Sequence, residues 1–415
     1  MKSHKLSRRS FAGLLGAGAG AALLAPAIAA RGWEERLALR AEERLEQVKR
    51  NPKDPADLIL LNSNENPYGP FPAAMEALVA ARSEAMRYPD YWGDAIQEKI
   101  AAYHGVDPES VVVTCGSTEV LKLAAQAFLT PSRRLVMAEP TFEAIAFYGK
   151  QTGAEIVKVP VTADYGHDLE AMARAAQERP GLIYLCNPNN PTATLTAKAA
   201  VQEFLGQVPR ESVVLVDEAY FHYVEDPSYG TMLDAVAAGA NVVVARTFSK
   251  VYGMAGLRLG YAIARKELMV QMRPHCVWDA TNVMACQAAL ASFGDEAEEK
   301  RQRALNHQTR AWLVDEMKKR GHDCIPSHAN FVCVHVAQPV RPVIEAFRQQ
   351  GIAVGRPFAG LPEHIRVSIG LPEEMQKFVA SLDKALEVAK TLPAQTTQAP
   401  ERERNLGAAP LWARR

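Results

Sequence analysis

The sequence predicts an α/β protein with a large domain, built on a mostly parallel sheet covered by helices, and a smaller α+β domain. Three observations carry this prediction. Short strands rich in Val, Ile and Leu alternate with helical patterns from about residue 92 to residue 290. After residue 290 a long charged helix and only two further strands follow. Clusters of polar residues come directly after several of the strands.

Seven strands are predicted in the large domain, because each is a short apolar run bounded by turns or helical patterns. They are Val111–Thr114, Leu135–Ala138, Glu155–Val159, Leu182–Cys186, Val213–Asp217, Val242–Arg246 and Leu259–Ala264. The helical patterns between them are Glu119–Leu129, Glu143–Thr152, Leu169–Gln177 and Lys198–Gln207. In the smaller domain, helices are predicted at Glu296–Lys319, Pro342–Gln350 and Pro372–Ala389, and strands at Phe331–Val336 and Ile365–Ile369.

The predicted organisation has six segments. Residues 1–29 form a signal peptide, residues 30–57 an N-terminal helix and linker, and residues 58–91 an N-terminal arm. Residues 92–290 form the large domain and residues 291–390 the small C-terminal domain. Residues 391–415 are rich in Pro, Gln, Thr, Glu and Arg and lack periodicity, which predicts a disordered tail.

Composition excludes several classes of function. The chain has 415 residues, of which 48% are hydrophobic and 23% charged, as in a soluble globular protein. Its 47 basic and 47 acidic residues balance, which argues against nucleic acid or an anionic membrane as partner. No apolar run predicts a stable membrane span, and no Cys or His spacing predicts a metal site. The six cysteines are expected to be buried small hydrophobic residues, with a Cys324–Cys333 disulfide left open.

The first thirty residues have the pattern of an export signal. The segment SRRSF at 7–11 precedes a mildly hydrophobic stretch rich in Gly and Ala, and AIA at 27–29 resembles a cleavage site. The paired arginines resemble a twin-arginine signal, while an ordinary Sec signal or a membrane anchor stays open. We therefore expect a periplasmic or otherwise exported protein that uses the twin-arginine export machinery.

Four polar clusters follow predicted strands. They are GSTE at 116–119, which starts a helix, NPNNPT at 187–192, DEAY at 217–220, and the loop at 247–258 that carries Ser249, Lys250 and Arg258. Because ligands of parallel sheets bind outside the carboxyl ends of the strands, we expect these clusters to converge on one crevice.

Together with LNSNENPYGP at 61–70, RYPD at 87–90 and IRVSIG at 365–370, these clusters resemble the class I/II, fold-type I pyridoxal-phosphate aminotransferases. Within that family the chain is most similar to the histidinol-phosphate aminotransferase branch. The resemblance covers about residues 58–390. It implies the fold-type I architecture, pyridoxal 5′-phosphate as cofactor, and a homodimer to whose interface the arm at 58–91 contributes.

The resemblance also implies roles for individual residues. Lys250 would bind the cofactor covalently and move a proton, and Asp217 would keep the ring nitrogen protonated. Tyr220 completes the predicted catalytic set. The predicted cofactor-binding residues are Ser117, Thr118, Phe142, Asn190, Ser249, Arg258 and Tyr88, besides Asp217, Tyr220 and Lys250. Ser117 and Thr118 start a helix, and Arg258 has a planar donor fork, both of which suit a phosphate group. Tyr88 matches a tyrosine that reaches the phosphate in the partner subunit.

On the substrate side, Arg366 matches the arginine that binds the substrate's anion, and Tyr68, Asn330 and Arg356 are further candidates. One departure from the family is Ala193, which stands where the family has glycine. Since only glycine adopts left-handed backbone angles freely, we expect this turn to avoid them.

The predicted reaction is amino transfer between an α-amino acid and a 2-oxo acid by a ping-pong mechanism. An α-amino acid donor is expected, because an exported enzyme would not meet a phosphorylated intermediate of a cytoplasmic pathway. An aromatic one is favoured, because Tyr68, Tyr88 and Phe358 are expected to line a pocket that tolerates aromatic side chains. Histidinol-phosphate transamination stays open, since Arg356 lies close to where relatives place a second phosphate-binding arginine. Elimination, racemisation or oxidation on the same scaffold also stays open. A non-catalytic binding protein is disfavoured, because Lys250, Asp217, Arg258 and Arg366 are all present.

Overall fold

A computed structural model describes residues 58–392 of the protein. The predicted signal peptide, the N-terminal helix and linker at 30–57, and the predicted tail beyond residue 392 lie outside the described residues. Within the described part, no helix is both long enough and apolar enough to cross a membrane. All six cysteines fall in this part and are free, so Cys324 and Cys333 are not joined.

The strands and helices are numbered here in chain order. The strands are β1 (Ile59–Leu61), β2 (Val111–Thr114), β3 (Leu135–Glu139), β4 (Ile156–Pro160), β5 (Leu182–Cys186), β6 (Val213–Asp217), β7 (Val242–Thr247), β8 (Gly260–Ala264), β9 (Phe331–His335), β10 (Ile352–Val354) and β11 (His364–Ser368). The helices are α1 (Pro72–Ala81), α2 (Asp90–His104), α3 (Ser117–Phe128), α4 (Ala144–Gln151), α5 (Leu169–Glu178), α6 (Lys198–Gln207), α7 (Leu233–Ala237), α8 (Lys266–Met272), α9 (Val283–Ser292), α10 (Glu296–Lys319), α11 (Val340–Gln349) and α12 (Pro372–Thr391).

A seven-stranded sheet in the order β2-β8-β7-β6-β5-β3-β4 confirms the predicted fold class. Neighbouring strands are parallel from β7 to β4, whereas β8 runs antiparallel to both β7 and β2. The strands β2, β5, β6 and β7 therefore all end at the same edge of the sheet. Ligands of such sheets bind beyond this edge.

Both faces of the sheet are covered, because alternate strand residues pack into two separate apolar clusters. Val214 and Val216 of β6 belong to one cluster, and Val213 and Leu215 belong to the other. A strand buried on both faces appears in the sequence as a continuous run of Val, Ile and Leu. Polar groups are consequently concentrated at the strand ends.

The smaller domain contains two pairs of strands. β1 pairs in parallel with β10, and β9 pairs antiparallel with β11. A third apolar cluster lies beneath them, in which Phe347 of α11 stacks on Phe378 of α12 with ring centroids 5.0 Å apart. The first described strand of the chain thus belongs with the C-terminal elements. The segment that follows β1 returns to the large domain, where Asn66 Nδ2 donates to the carbonyl of Val251.

Several elements were not predicted from the sequence, namely β1, β10, α1, α2, α7, α8 and α9. Helices α1 and α9 show the reason. Both are rich in alanine and pack closely on each other through small side chains such as Ala74, Ala285 and Ala289, which are fully buried. A helix without a distinct polar face lacks the period that identifies a helix in the sequence.

A buried ion pair links the end of β6 to β7. Glu218 is 1% exposed and Arg246 is 4% exposed, and Arg246 donates to Glu218 Oε2 from Nη2 at 2.8 Å and from Nε at 3.0 Å. Glu218 also accepts from the hydroxyl of Thr231 and the N–H of Met232. The guanidinium of Arg246 lies 3.7 Å from the ring centroid of Phe221. Loss of either charge would leave its partner uncompensated in the interior.

We expect Arg246→Met to lower the free energy of unfolding by about 3–5 kcal/mol, because Glu218 would remain charged and buried without a cation. Chemical denaturation of the cofactor-free protein measures this change. The double variant Arg246→Met/Glu218→Gln should recover part of the loss. As a control, Glu170→Gln breaks an exposed pair with Arg174 and should leave stability nearly unchanged. A loss for Arg246→Met no larger than the control's would contradict this prediction.

Candidate active site

The polar clusters after β2, β5, β6 and β7 meet at one edge of the sheet. The N–H of Asn187, which follows β5, donates to the carbonyl of Asp217 at the end of β6 at 3.0 Å. The guanidinium of Arg258, after β7, lies against Gly116, after β2. The structure therefore brings into one crevice side chains that are up to about 140 residues apart in the chain.

Asp217 is a buried carboxylate, 3% exposed, at the floor of this crevice. Its Oδ2 accepts from the hydroxyl of Tyr184 at 2.9 Å, and its Oδ1 accepts from the N–H of Ala219 at 3.1 Å. Burial raises the pKa of Asp217 to about 6, although the two hydrogen bonds and the charge of Lys250 act in the opposite direction. A carboxylate in this position would be stabilised by a cationic ligand.

Lys250 lies in the loop between β7 and β8. Its Nζ donates to the main-chain carbonyls of Asn64 at 2.9 Å and Ser63 at 3.3 Å. Burial, followed by the positive charge of Arg366, lowers the pKa of Lys250 to about 8. An amine with such a pKa is uncharged in about a tenth of molecules at pH 7, far more than an ordinary lysine, and the uncharged amine is the form that attacks a carbonyl.

The N-terminus of α3 forms a cradle for an anion. Gly116 precedes Ser117 and has φ +74°, and a Cβ on it would lie 2.3 Å from Nη2 of Arg258. Arg258, itself at φ +60°, also donates from Nη1 to Ser249 Oγ at 3.4 Å. The cradle thus combines the exposed amides and the dipole of α3 with the hydroxyls of Ser117 and Ser249 and the guanidinium of Arg258. Together these groups suit a phosphate. Thr118 is the second residue of the same helix.

Arg366 of β11 lies near Lys250 from the side of the smaller domain. It is 7% exposed, and it donates from Nη1 to Asn190 Oδ1 and from Nη2 to the carbonyl of Asn62, both at 2.6 Å. Its Nε is buried and has no hydrogen-bond acceptor among the described residues. Arg366 therefore links the loop after β5 to the segment after β1. Its Nε–H remains available to donate a hydrogen bond to a ligand.

Arg356 lies close to Arg366, because both contact the same aromatic ring. The guanidinium carbons lie 4.4 Å (Arg356) and 4.9 Å (Arg366) from the ring centroid of Phe358. Arg356 Nη2 donates to Glu143 Oε2 at 2.6 Å, and the two side chains of this pair are 38% and 46% exposed. Glu143 follows Phe142 in the sequence and was not predicted to take part in the site.

Tyr220 and Asn330 both contact Asn64, another residue that the sequence analysis missed. Asn64 Nδ2 donates to the hydroxyl of Tyr220 at 3.0 Å. Asn330 Nδ2 donates to the carbonyls of Asn64 at 3.0 Å and Glu65 at 3.2 Å. Asn330 was predicted to face the substrate, but its side-chain amide donates instead to main-chain carbonyls. The only signal for Asn64 is its place in the segment 61–70, and for Tyr184 it is a hydroxyl within an apolar strand.

For three predicted residues the structure gives no direct link to Lys250. Tyr88 is 76% exposed. Tyr68 lines a small cavity that it shares with Asn330 and α10. Phe142 is half-buried and packs on the apolar cluster that contains Tyr184. Among the described residues, no hydrogen bond joins the side chains of Tyr68 or Tyr88 to Lys250 or Arg366.

The expectation that the turn at Ala193 avoids the left-handed region is wrong. Ala193 has φ +63° and is fully buried. Its N–H donates to the carbonyl of Asn189 at 2.8 Å, and its carbonyl accepts from the N–H of His328 at 2.9 Å. A left-handed residue with a Cβ costs roughly 1–2 kcal/mol, and these two hydrogen bonds hold the turn in place despite that cost.

These residues fit pyridoxal phosphate. The cradle at Gly116, Ser249 and Arg258 suits its phosphate, Asp217 suits a protonated ring nitrogen, and Lys250 is an amine of lowered pKa. Gly116 is needed for this fit, because any side chain there would occupy the position of the Arg258 guanidinium. Within residues 58–392, no three His, Cys, Asp or Glu side chains gather as a possible metal site.

Comparison with known proteins agrees with this site. The chain matches the aminotransferase class I and II family over residues 56–382. It is 40% identical over 332 residues to a histidinol-phosphate aminotransferase of Symbiobacterium thermophilum, covering 80% of this chain and 91% of that protein. It is 40% identical over 335 residues to histidinol-phosphate aminotransferase 2 of Pseudomonas aeruginosa, covering 80% of this chain and 90% of that protein.

The fold is similar to the crystal structure of histidinol-phosphate aminotransferase from Sinorhizobium meliloti in complex with pyridoxal-5′-phosphate. The TM-score is 0.74 at 24% identity, covering 80% of this chain and 91% of that one. The fold, the crevice and the family match therefore lead to one conclusion. The chain belongs to the aminotransferase class I and II family and is a pyridoxal-phosphate-dependent aminotransferase.

Proposed function

We propose that this aminotransferase transfers the amino group of histidinol phosphate to a 2-oxo acid. Two relatives at 40% identity carry the name histidinol-phosphate aminotransferase, and the chain covers about nine tenths of each. This support puts histidinol phosphate ahead of the α-amino acid that the sequence analysis favours. Donor and acceptor would use the same crevice in turn, in a ping-pong cycle.

The observation that carries this proposal is the pair of arginines on Phe358. Arg356 and Arg366 bring two positive charges to one ring, and within the described part of the chain Arg356 pairs with the partly exposed Glu143. A phosphate monoester carries up to two negative charges and three acceptor oxygens, which suits planar guanidinium donors. An incoming phosphate can displace Glu143, because an exposed ion pair is worth little.

Each residue of the crevice has a task in this reaction. When bound, pyridoxal phosphate supplies the electron sink that makes the α-hydrogen of the substrate acidic. Lys250 Nζ holds the cofactor and, once released in its uncharged form, accepts and returns the α-proton. Asp217, anchored by Tyr184, holds a proton at the ring nitrogen. Arg258 and Ser249 hold the phosphate of the cofactor, and Arg366 orients the substrate.

A second candidate is an aromatic α-amino acid as donor. The observation that favours it is the segment SRRSF at 7–11, which predicts export. Phosphorylated biosynthetic intermediates are made and used in the cytoplasm, so an exported enzyme would meet amino acids instead. Arg366 would then bind the substrate carboxylate, and Phe358 would offer an apolar surface beside it.

We also propose that the protein is a homodimer and is exported with its cofactor bound. Tyr88 and Tyr91 are 76% and 71% exposed, and Met86, which precedes them in the same segment, is 79% exposed. Such exposed apolar residues are typical of an interface. The twin-arginine pathway carries folded proteins, which suits an enzyme that acquires a cofactor before export. Sedimentation at micromolar concentration would report the dimer.

The substrate proposal is tested by kcat/KM for histidinol phosphate against a panel of α-amino acids, with 2-oxoglutarate as acceptor. We expect histidinol phosphate to be preferred by more than about a hundredfold, or ~2.7 kcal/mol of transition-state stabilisation. Arg356→Gln should reduce this preference, because the phosphate loses one guanidinium, and should leave turnover of uncharged-side-chain amino acids nearly unchanged. An aromatic amino acid that equals or exceeds histidinol phosphate would replace it as the substrate.

Cofactor uptake should depend on pH in a predictable direction. Burial raises the pKa of Asp217 to about 6 and lowers that of Lys250 to about 8, and both groups must lose a proton to receive the cofactor. The rate of uptake by cofactor-free protein should therefore rise from about pH 5 to about pH 9, as visible absorbance will report. Asp217→Asn should remove the acidic part of this rise. Lys250→Ala should abolish the borohydride-trapped adduct between the cofactor and residue 250. An uptake rate that does not change with pH would contradict the roles given to Asp217 and Lys250.

Export is tested by replacing the two arginines of the signal. Arg8→Lys/Arg9→Lys should keep the enzyme inside the cell while leaving its activity in lysates unchanged, because the export machinery reads the pair and the cofactor and substrate residues named above all come later in the chain. Fractionation followed by an activity assay measures the distribution. Unchanged export would indicate a Sec route instead.

A further inference from the structure

Asn64 occupies an unusual position between the two domains. It lies three residues after the end of β1, is 1% exposed and has φ +54°. A residue with a side chain rarely adopts this left-handed conformation, although Asn tolerates it better than most. Hydrogen bonds to the surrounding residues hold it in this conformation.

Five hydrogen bonds converge on Asn64, and they join the predicted catalytic residues to the smaller domain. On the large-domain side, Asn64 Nδ2 donates to Tyr220 Oη at 3.0 Å, and the Asn64 carbonyl accepts from Lys250 Nζ at 2.9 Å. On the other side, the carbonyl also accepts from Asn330 Nδ2 at 3.0 Å. The Asn64 N–H donates to Ser368 Oγ at 2.8 Å, and the Ser368 hydroxyl donates to Asn64 Oδ1 at 3.1 Å.

The direction of these bonds determines where the hydroxyl hydrogen of Tyr220 can go. Ser368 Oγ accepts the main-chain N–H of Asn64, so its own hydrogen is used on Asn64 Oδ1. The amide of Asn64 must then present Nδ2 to Tyr220, and an amide nitrogen can only donate. The oxygen of Tyr220 therefore accepts, and its hydrogen remains free for a group bound in the crevice.

We propose that Asn64 is a positioning residue that directs the Tyr220 hydroxyl hydrogen into the cofactor site, and that Ser368 fixes the orientation of its amide. Ser368 lies two residues after Arg366 on β11, so both side chains are on the same face of that strand. Strand β11, which carries the substrate-binding Arg366, thereby also orients the Tyr220 hydroxyl, a hydrogen-bond donor of the cofactor site. This inference rests on the cofactor-binding role proposed for Tyr220.

The test is a double-mutant cycle on cofactor affinity, measured by titrating cofactor-free protein with pyridoxal phosphate and following fluorescence. Asn64→Gly keeps the left-handed backbone and the carbonyl but removes the amide. Asn64→Gly and Tyr220→Phe should each weaken affinity by about tenfold, the size of one hydrogen bond. The double variant should bind no worse than the weaker single variant, because the amide of Asn64 acts on the cofactor only through the Tyr220 hydroxyl. Losses that multiply, or wild-type affinity in Asn64→Gly, would overturn the proposal.

Ser368→Ala provides a second arm that leaves residue 64 itself unchanged. It should weaken affinity several-fold in the wild-type background and distinctly less in the Asn64→Gly background, where only the bond from the main-chain N–H of residue 64 is lost. An equal effect in both backgrounds would overturn the role of Ser368. The matched control is Ala337→Gly, which changes an exposed left-handed residue of the smaller domain at φ +53° and should leave affinity unchanged. Because no substrate is used, these results do not depend on which donor the enzyme prefers.

Discussion

The burial of one carboxylate governs the construction of this site. Asp217 ends a strand that is apolar on both faces, and it is 3% exposed. A charge in that position is unfavourable unless donors and a cation surround it. Tyr184 and the N–H of Ala219 supply the donors, and Lys250 supplies positive charge nearby. The pKa of Asp217 stays raised despite these groups. A cationic cofactor ring beside Asp217 would therefore stabilise the charged carboxylate further.

Positive charge is the other constraint on the crevice. Lys250, Arg258 and Arg366 converge there, and the carboxylates of Glu65 and Asp217 oppose their effect on the pKa of Lys250. The charge of Arg366 contributes to the lowered pKa of Lys250, so the anion site and the reactive amine are electrostatically coupled. The binding of an anionic ligand would therefore be favoured in two ways, by direct hydrogen bonds and by reduced repulsion among the three cations.

Both domains contribute residues to the crevice. The sheet contributes Asp217, Lys250 and the phosphate cradle, while β11 contributes Arg366 and Ser368. The segment after β1 connects them, because its carbonyls bind Lys250 and Arg366 and its side chain at Asn64 binds Tyr220. Glu143 and Arg356 form a further contact between the domains at the rim. A shift of the smaller domain would thus alter the surroundings of the reactive amine directly.

The sequence by itself determined the large sheet and the polar residues at its strand ends. β5 and β6 match their predicted bounds to the residue, because continuous apolar runs bounded by polar clusters are local patterns. Only the tertiary structure decided the pairings of Tyr184 with Asp217, Asn64 with Tyr220, and Glu143 with Arg356, since each joins segments distant in the chain. It also decided the left-handed turn at Ala193, where a hydrogen bond from His328, distant in the chain, helps to outweigh a local preference. Local patterns predict elements, whereas partners depend on how those elements pack.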